Sequence, residues 1–313
     1  MKKLAIFIAL LAGLIFMGLG GYQWLKDPER KDMDQHARDL LGGSYLRLSQ
    51  GVVHYELDGP VHGETLVLVH GFSVPGYIWD NTFRYFTDAG YRVLRFDLYG
   101  RGYSDRPDVA YDGALFVQQL HELVTALELP QPFNLVGLSM GGPIAARYAH
   151  EHAPSVRRLA LVAPLTVVPT TAQVRPLTRP LLGNFLATTS FMPGLLAGQS
   201  KDLADPQRVP DWQQRFAEQM EYRGFRRAIL STIEHLPDLD TLGAYEQLQR
   251  QRFPVRLFWG TEDRTVPLAH SEQLLEVLPR AELILIPDTG HVPMVESFER
   301  FNPLLAEFLS VSD

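Results

Sequence analysis

A serine hydroxyl attacks a carbonyl only when its surroundings make it a better nucleophile than free serine. The stretch Phe133-Asn134-Leu135-Val136-Gly137-Leu138-Ser139-Met140-Gly141-Gly142 has features that would do this. It reads as a short apolar strand, a Gly-x-Ser-x-Gly turn and a helix start. Gly137 and Gly141 carry no Cβ, so Ser139 can sit on a strained strand-to-helix turn pressed against its neighbours. Such a turn lifts the hydroxyl out of the sheet. The helix that follows, Gly142 to His150, aims its N-terminus at the same place, leaving the backbone N–H of Met140 free to bind a developing oxyanion. Gly-x-Ser-x-Gly alone also describes a plain glycine-flanked turn. A working serine needs a base within hydrogen-bond reach and a carboxylate to orient that base. With 10 histidines and 36 acidic residues in the chain, residue type does not select them.

The elements around this turn narrow the choice. Tyr45 to Ser49 and Val52 to Leu57 alternate and are split by Gln50-Gly51, which predicts a hairpin. Thr65 to Val69 is continuous and rich in β-branched residues, as a strand buried on both faces would be. Tyr91 to Phe96, Phe133 to Val136, Arg158 to Val162, Val255 to Trp259 and Glu282 to Ile286 follow the same pattern. Helical segments lie between them, at Tyr77 to Ala89, Gly113 to Leu129, Pro143 to His152, Pro267 to Leu278 and Ser297 to Leu309. This alternation predicts an α/β fold with an eight-stranded, mostly parallel, doubly wound sheet behind an antiparallel hairpin. Residues 164–253 break the rhythm. They separate two core strands by far more than one crossover helix needs, and carry seven prolines between 169 and 237.

The composition is ordinary for a globular protein: 46% hydrophobic and 21% charged residues in a chain of 313. A net charge of −7 gives nucleic-acid binding no electrostatic support. The absence of cysteine excludes disulfides, zinc–thiolate sites and a cysteine nucleophile.

The turn at Ser139 resembles the nucleophile elbow of the α/β-hydrolase superfamily, and other stretches strengthen the resemblance. His70-Gly71-Phe72-Ser73 is similar to that family's His-Gly-x loop after the third strand. Asp97-Leu98-Tyr99-Gly100-Arg101-Gly102-Tyr103-Ser104-Asp105 is similar to its Asp-x-x-Gly-x-Gly-x-Ser loop, a structural element. The resemblance covers Ser44 to the C-terminus. It implies a core of residues 44–163 and 254–313, flanked by helices and interrupted by a helical cap at 164–253. In that fold the functional residues run in the order serine, acid, histidine. Asp263 follows the strand Val255 to Trp259, and His291 follows Glu282 to Ile286, so each lies just past the C-terminal end of a strand. Glu262, one residue early, and Asp288, a turn former, are the weaker alternatives for the acid. Phe72 N–H joins Met140 N–H as the expected oxyanion pair, and His70 is expected to brace its loop.

Ahead of the core, Met1-Lys2-Lys3 precedes an apolar run from Leu4 to Gly21. Residues 1–25 therefore read as an uncleaved membrane anchor, or else as a cleaved signal peptide that would release a secreted enzyme. The short basic head favours a bacterial-type inner-membrane protein whose catalytic part lies outside the cytoplasm, in the periplasm. Residues 26–43 read as a polar linker with a solvated face.

The resemblance implies a carboxylic ester hydrolase, an esterase or monoacylglycerol lipase working through an acyl-enzyme without metal or organic cofactor. Members with aspartate at the elbow, epoxide hydrolases and haloalkane dehalogenases, are disfavoured by Ser139. A C–C bond hydrolase acting on ring-cleavage dienoates is the enzymatic alternative. A non-catalytic binding module of the same fold is the other. Ser73, Leu182, Phe185, Leu186 and Phe191 are the expected pocket residues for an ester or lipid substrate, in an apolar stretch that begins at Leu181.

Overall fold

A computed structural model describes residues 2–179 and 182–310. Its eight strands are β1 (Ser44–Arg47), β2 (Val52–Asp58), β3 (Thr65–Val69), β4 (Arg92–Phe96), β5 (Phe133–Leu138), β6 (Val156–Val162), β7 (Val255–Gly260) and β8 (Glu282–Ile286). They form one sheet in the order β1-β2-β4-β3-β5-β6-β7-β8. The β1/β2 and β2/β4 pairs are antiparallel and all later pairs parallel. The chain winds outward from β3 in both directions. The loops after β3 and β5 therefore meet at the switch point, where open α/β sheets leave a crevice.

The strand sequences explain the layering. Every residue of β3 is buried, yet successive side chains alternate between faces. Val67 and Val69 join a core with Phe116, Leu120 and Ile144 on one face. Leu66 and Leu68 join Trp79, Phe86 and Phe301 on the other. Helices Gly113–Ala126, Gly141–Glu151 and His270–Val277 supply the first layer, and Asp80–Asp88 and Phe298–Ser310 the second. The helix expected from Tyr77 begins instead as the 3₁₀ turn Gly76–Trp79 and becomes α-helical only at Asp80.

Between β6 and β7 the chain forms short helices, among them Met192–Gly198, Trp212–Met220, Phe225–His235 and Thr241–Leu248. Residues 26–43 pack on this insertion. Arg30 and Lys31 donate their backbone N–H groups to the Glu221 carbonyl (2.8 and 2.9 Å). The Glu29 carboxylate accepts from Gly224 and Arg226 N–H, at the start of helix Phe225–His235. Farther along, Arg38 is buried and pairs with Asp105. The linker is thus tied down at Glu29, Arg30, Lys31 and Arg38, while much of it keeps the solvated face expected of it.

The expectation of a membrane anchor is overturned. Lys2–Lys26 is helical, but among the described residues no helix is long and apolar enough to cross a membrane. The run Leu4 to Gly21 rises only about 27 Å against an apolar bilayer core of about 30 Å, and Gly13, Gly18, Gly20 and Gly21 dilute it. The last turns of this helix also dock on the insertion: Tyr22 packs on Phe185 at 6.4 Å between ring centroids, and Gln23 donates to Thr188 Oγ1. The inner-membrane, periplasm-facing placement falls with the anchor.

Gly137 shows how tightly strand and helix are joined behind Ser139. A Cβ there would lie 2.3 Å from the Gly141 carbonyl oxygen and 2.9 Å from Ala145 Cβ, and both neighbours belong to the helix. Gly137→Ala is expected to lower stability by about 2–3 kcal/mol, read as a reduced urea midpoint at unchanged m-value.

Candidate active site

Ser139 occupies the tip of the β5-to-helix turn with φ 51°, a left-handed conformation that a side chain disfavours. Three backbone hydrogen bonds hold it there. Its N–H donates to the Val162 carbonyl (2.9 Å), and its own carbonyl accepts from Gly142 (2.8 Å) and Leu165 (3.0 Å). The loop after β3 lies directly against it: a Cβ on Gly71 would sit 3.2 Å from Ser139 Cβ and 3.7 Å from its Oγ. Among the described residues, neither the Phe72 nor the Met140 N–H donates a hydrogen bond, so both expected oxyanion donors are unspent.

Asp263 and His291 meet across the loops that follow β7 and β8. His291 Nδ1 lies 2.8 Å from Asp263 Oδ2, and both residues are buried. The other carboxylate oxygen, Oδ1, accepts from the N–H groups of Thr265 and Val266, each at 2.8 Å. A carboxylate held this way accepts a hydrogen bond from the ring's Nδ1–H and leaves Nε2 as the basic atom. Burial alone pushes His291 down, but the Asp263 charge and hydrogen bond, helped by Asp202, more than offset it. The ring titrates above the ordinary 6.5. Glu262 is exposed, its N–H bonded to the Thr289 carbonyl, while Asp288 sits in a turn at φ 54°.

Ser139 and His291 line one cavity of about 600 Å³. Its walls are mostly apolar, with Val74, Ile78, Leu138, Phe191, Leu195 and Val292, while Lys201, Asp202 and Arg264 contribute charge. Ser73 and Phe191 line it as expected. Leu182, Phe185 and Leu186 do not. Leu182 is 55% exposed, and Phe185 packs on Tyr22 of the N-terminal helix, a partner no local pattern reveals. Leu181 lies outside the described residues.

The loops bearing the candidate oxyanion donors are braced from behind. His70 is fully buried. Its Nε2 accepts from Leu98 N–H (2.8 Å) and its Nδ1 donates to the Gly71 carbonyl (2.9 Å). Burial lowers its pKa to about 4, so the ring is neutral near pH 7 and holds the loop rather than the chemistry. Arg101, also fully buried, donates Nε to the Phe72 carbonyl (2.8 Å) and Nη2 to Thr232 Oγ1 (2.8 Å). Asp97 accepts from Gly76 N–H (2.7 Å) and Tyr103 N–H (2.8 Å), and pairs with His54.

Two further carboxylates went unrecognised in the sequence. Glu296 is buried and accepts from the N–H groups of Gly290, Ala204 and Asp205 at 2.7–3.0 Å, which ties the histidine loop to the insertion. Asp202 approaches the same loop from the insertion side. Neither belongs to a local motif, and their partners lie up to 92 residues away. No group of His, Asp and Glu suited to a metal ion occurs among the described residues.

Comparison with known proteins agrees with this architecture. Residues 66–304 match the family described as "Alpha/beta hydrolase family". Among curated relatives, "Lipase 1" of Psychrobacter immobilis is 26% identical over 280 residues, covering 85% of this chain and 83% of the relative. A 2-hydroxy-6-oxononadienedioate/2-hydroxy-6-oxononatrienedioate hydrolase of Paraburkholderia phymatum is 29% identical over 282 residues, covering 86% and 93%. Among solved structures, the enol-lactonase of Burkholderia xenovorans superposes with a TM-score of 0.74 at 22% identity, covering 86% of this chain and all of that one. The match takes in β5 and its serine turn and the loops after β3, β7 and β8, and on this basis the chain belongs to the alpha/beta hydrolase family.

Proposed function

We propose that the protein is a serine hydrolase that cleaves carboxylic esters through an acyl-enzyme. One observation carries the reading: His291, bonded at 2.8 Å to the buried Asp263, shares a cavity with a serine held at φ 51° on a strand-to-helix turn. In this scheme His291 Nε2 takes the Ser139 proton as Oγ attacks the ester carbonyl. The Phe72 and Met140 N–H groups hold the oxyanion. The imidazolium then protonates the departing alcohol, and a water activated by the same nitrogen releases the acid. The apolar wall formed by Val74, Ile78, Phe191 and Leu195 suits a medium or long acyl chain, with the insertion acting as its cap. The relatives named as lipases are consistent with that choice.

A second reading rests on charge. Lys201 and Arg264 line the same cavity, and among the described residues neither has an ion-pair partner. They would suit a carboxylate-bearing substrate such as a ring-cleavage dienoate, and one relative is named as a hydrolase of such compounds. p-Nitrophenyl esters of graded chain length, assayed beside a dienoate, separate the two. The ester reading expects higher kcat/KM on C8–C12 esters than on the dienoate, and the reverse order favours C–C cleavage.

Ser139→Ala is expected to lower ester kcat by about 10³-fold or more at unchanged Tm, and wild-type turnover in this variant would end the serine mechanism. A fluorophosphonate that leaves Ser139 unlabelled in the wild-type protein would favour a binding module. The pH profile has a defined sign. His291 must be neutral to accept the proton, and its pKa is raised. Activity should therefore fall with acid through a midpoint above 6.5, seen in the acid limb of kcat/KM. A midpoint at or below 6.5 would mean that burial of the ring outweighs the Asp263 charge.

A further inference from the structure

The insertion reaches the histidine loop through Asp202, which bonds to two of the loops that carry the candidate chemistry. Its carbonyl accepts the His291 backbone N–H at 2.7 Å. Its carboxylate Oδ1 accepts from Thr265 Oγ1 at 2.6 Å, and Thr265 N–H in turn donates to Asp263. The approach is close enough that a Cβ on Gly290 would lie 2.4 Å from the Asp202 carbonyl oxygen, so only glycine fits there. Asp202 also lines the cavity that holds Ser139 and His291.

We propose that Asp202 is a positioning residue supplied by the insertion: it fixes the His291 backbone, and its carboxylate stabilises the imidazolium that forms when the ring accepts the Ser139 proton. The inference rests on the serine-hydrolase reading given above. An anion beside an imidazole favours the protonated ring, and Asp202 acts on His291 in this direction. The reciprocal effect is present. Burial pushes the Asp202 carboxyl above its ordinary 3.8, while His291 and the Thr265 hydroxyl pull it back down. The other charged groups around the ring are Asp263 on the loop after β7, Lys201 and Arg264 lining the cavity, and Glu296 behind the histidine loop. Glu296 is already committed to three backbone N–H groups. Asp202 is thus the carboxylate through which the placement of the insertion can be felt at the base.

The test uses the full chain with ¹⁵N-labelled histidine. The His291 ring signals are assigned by their loss in His291→Asn and titrated by NMR beside the kcat/KM profile. In Asp202→Asn, which can still accept from Thr265, the ring midpoint and the acid limb are both expected to move to lower pH. The kcat at pH 8 should fall about fivefold, with KM changing less. Asp202→Glu, which keeps the charge, should titrate close to wild type, and Asp202→Ser provides a second neutral variant. An unmoved midpoint in folded Asp202→Asn and Asp202→Ser would overturn the proposal, as would Asp202→Glu shifting as far as Asp202→Asn. The titration reads the ring whatever the substrate is. A Ser139 that ignores a fluorophosphonate therefore counts against the hydrolase reading alone, and an unmoved midpoint against Asp202 alone.

Discussion

A non-glycine residue held at positive φ costs about 1–3 kcal/mol, and the arrangement of this protein follows from keeping Ser139 there. The cost is met by structure on every side. β6 supplies an acceptor for its N–H, the turn and the start of the insertion supply donors for its carbonyl, and the loop after β3 closes against its side chain. Each support comes from a different segment. The serine is therefore set only when the central strands are in register and the chain beyond β6 has come back across them. The Asp263–His291 pair depends on the same condition, because its two loops follow β7 and β8, the last strands added to that side of the sheet.

Much of this was legible in the sequence. The continuous β-branched run of Thr65–Val69 named a strand buried on both faces, and the structure buries all five residues. The glycines at 137 and 141 named the turn. Asp263 was separable from Glu262 because one residue of offset past a strand end turns a side chain from the crevice to solvent, which is how the two are disposed. Local patterns report local geometry, and these features are local.

What was not legible depends on distant partners. Arg101 reads as one member of a glycine-rich loop, yet it is a fully buried cation holding the Phe72 carbonyl. Glu296 belongs to no local motif, and its role is set by residues 204 and 205 of the insertion, from whose N–H groups it accepts. The apolar stretch around Leu182 and Phe185 reads as pocket wall because apolar residues near a site are expected to face it. Instead, Phe185 turns to the N-terminal helix, which the sequence marks only as apolar. The final turns of that helix thus find their partners in the insertion.

The attachment of residues 26–43 to the insertion has a practical side. Glu29 covers the first N–H groups of helix Phe225–His235, and Asp27 pairs with Arg226 at 2.8 Å. A protein trimmed just before Asp27 would keep this clasp, whereas one trimmed to the first strand would bare a helix start and strand an arginine. Where an engineer cuts would thus decide whether the insertion is delivered with its fastening.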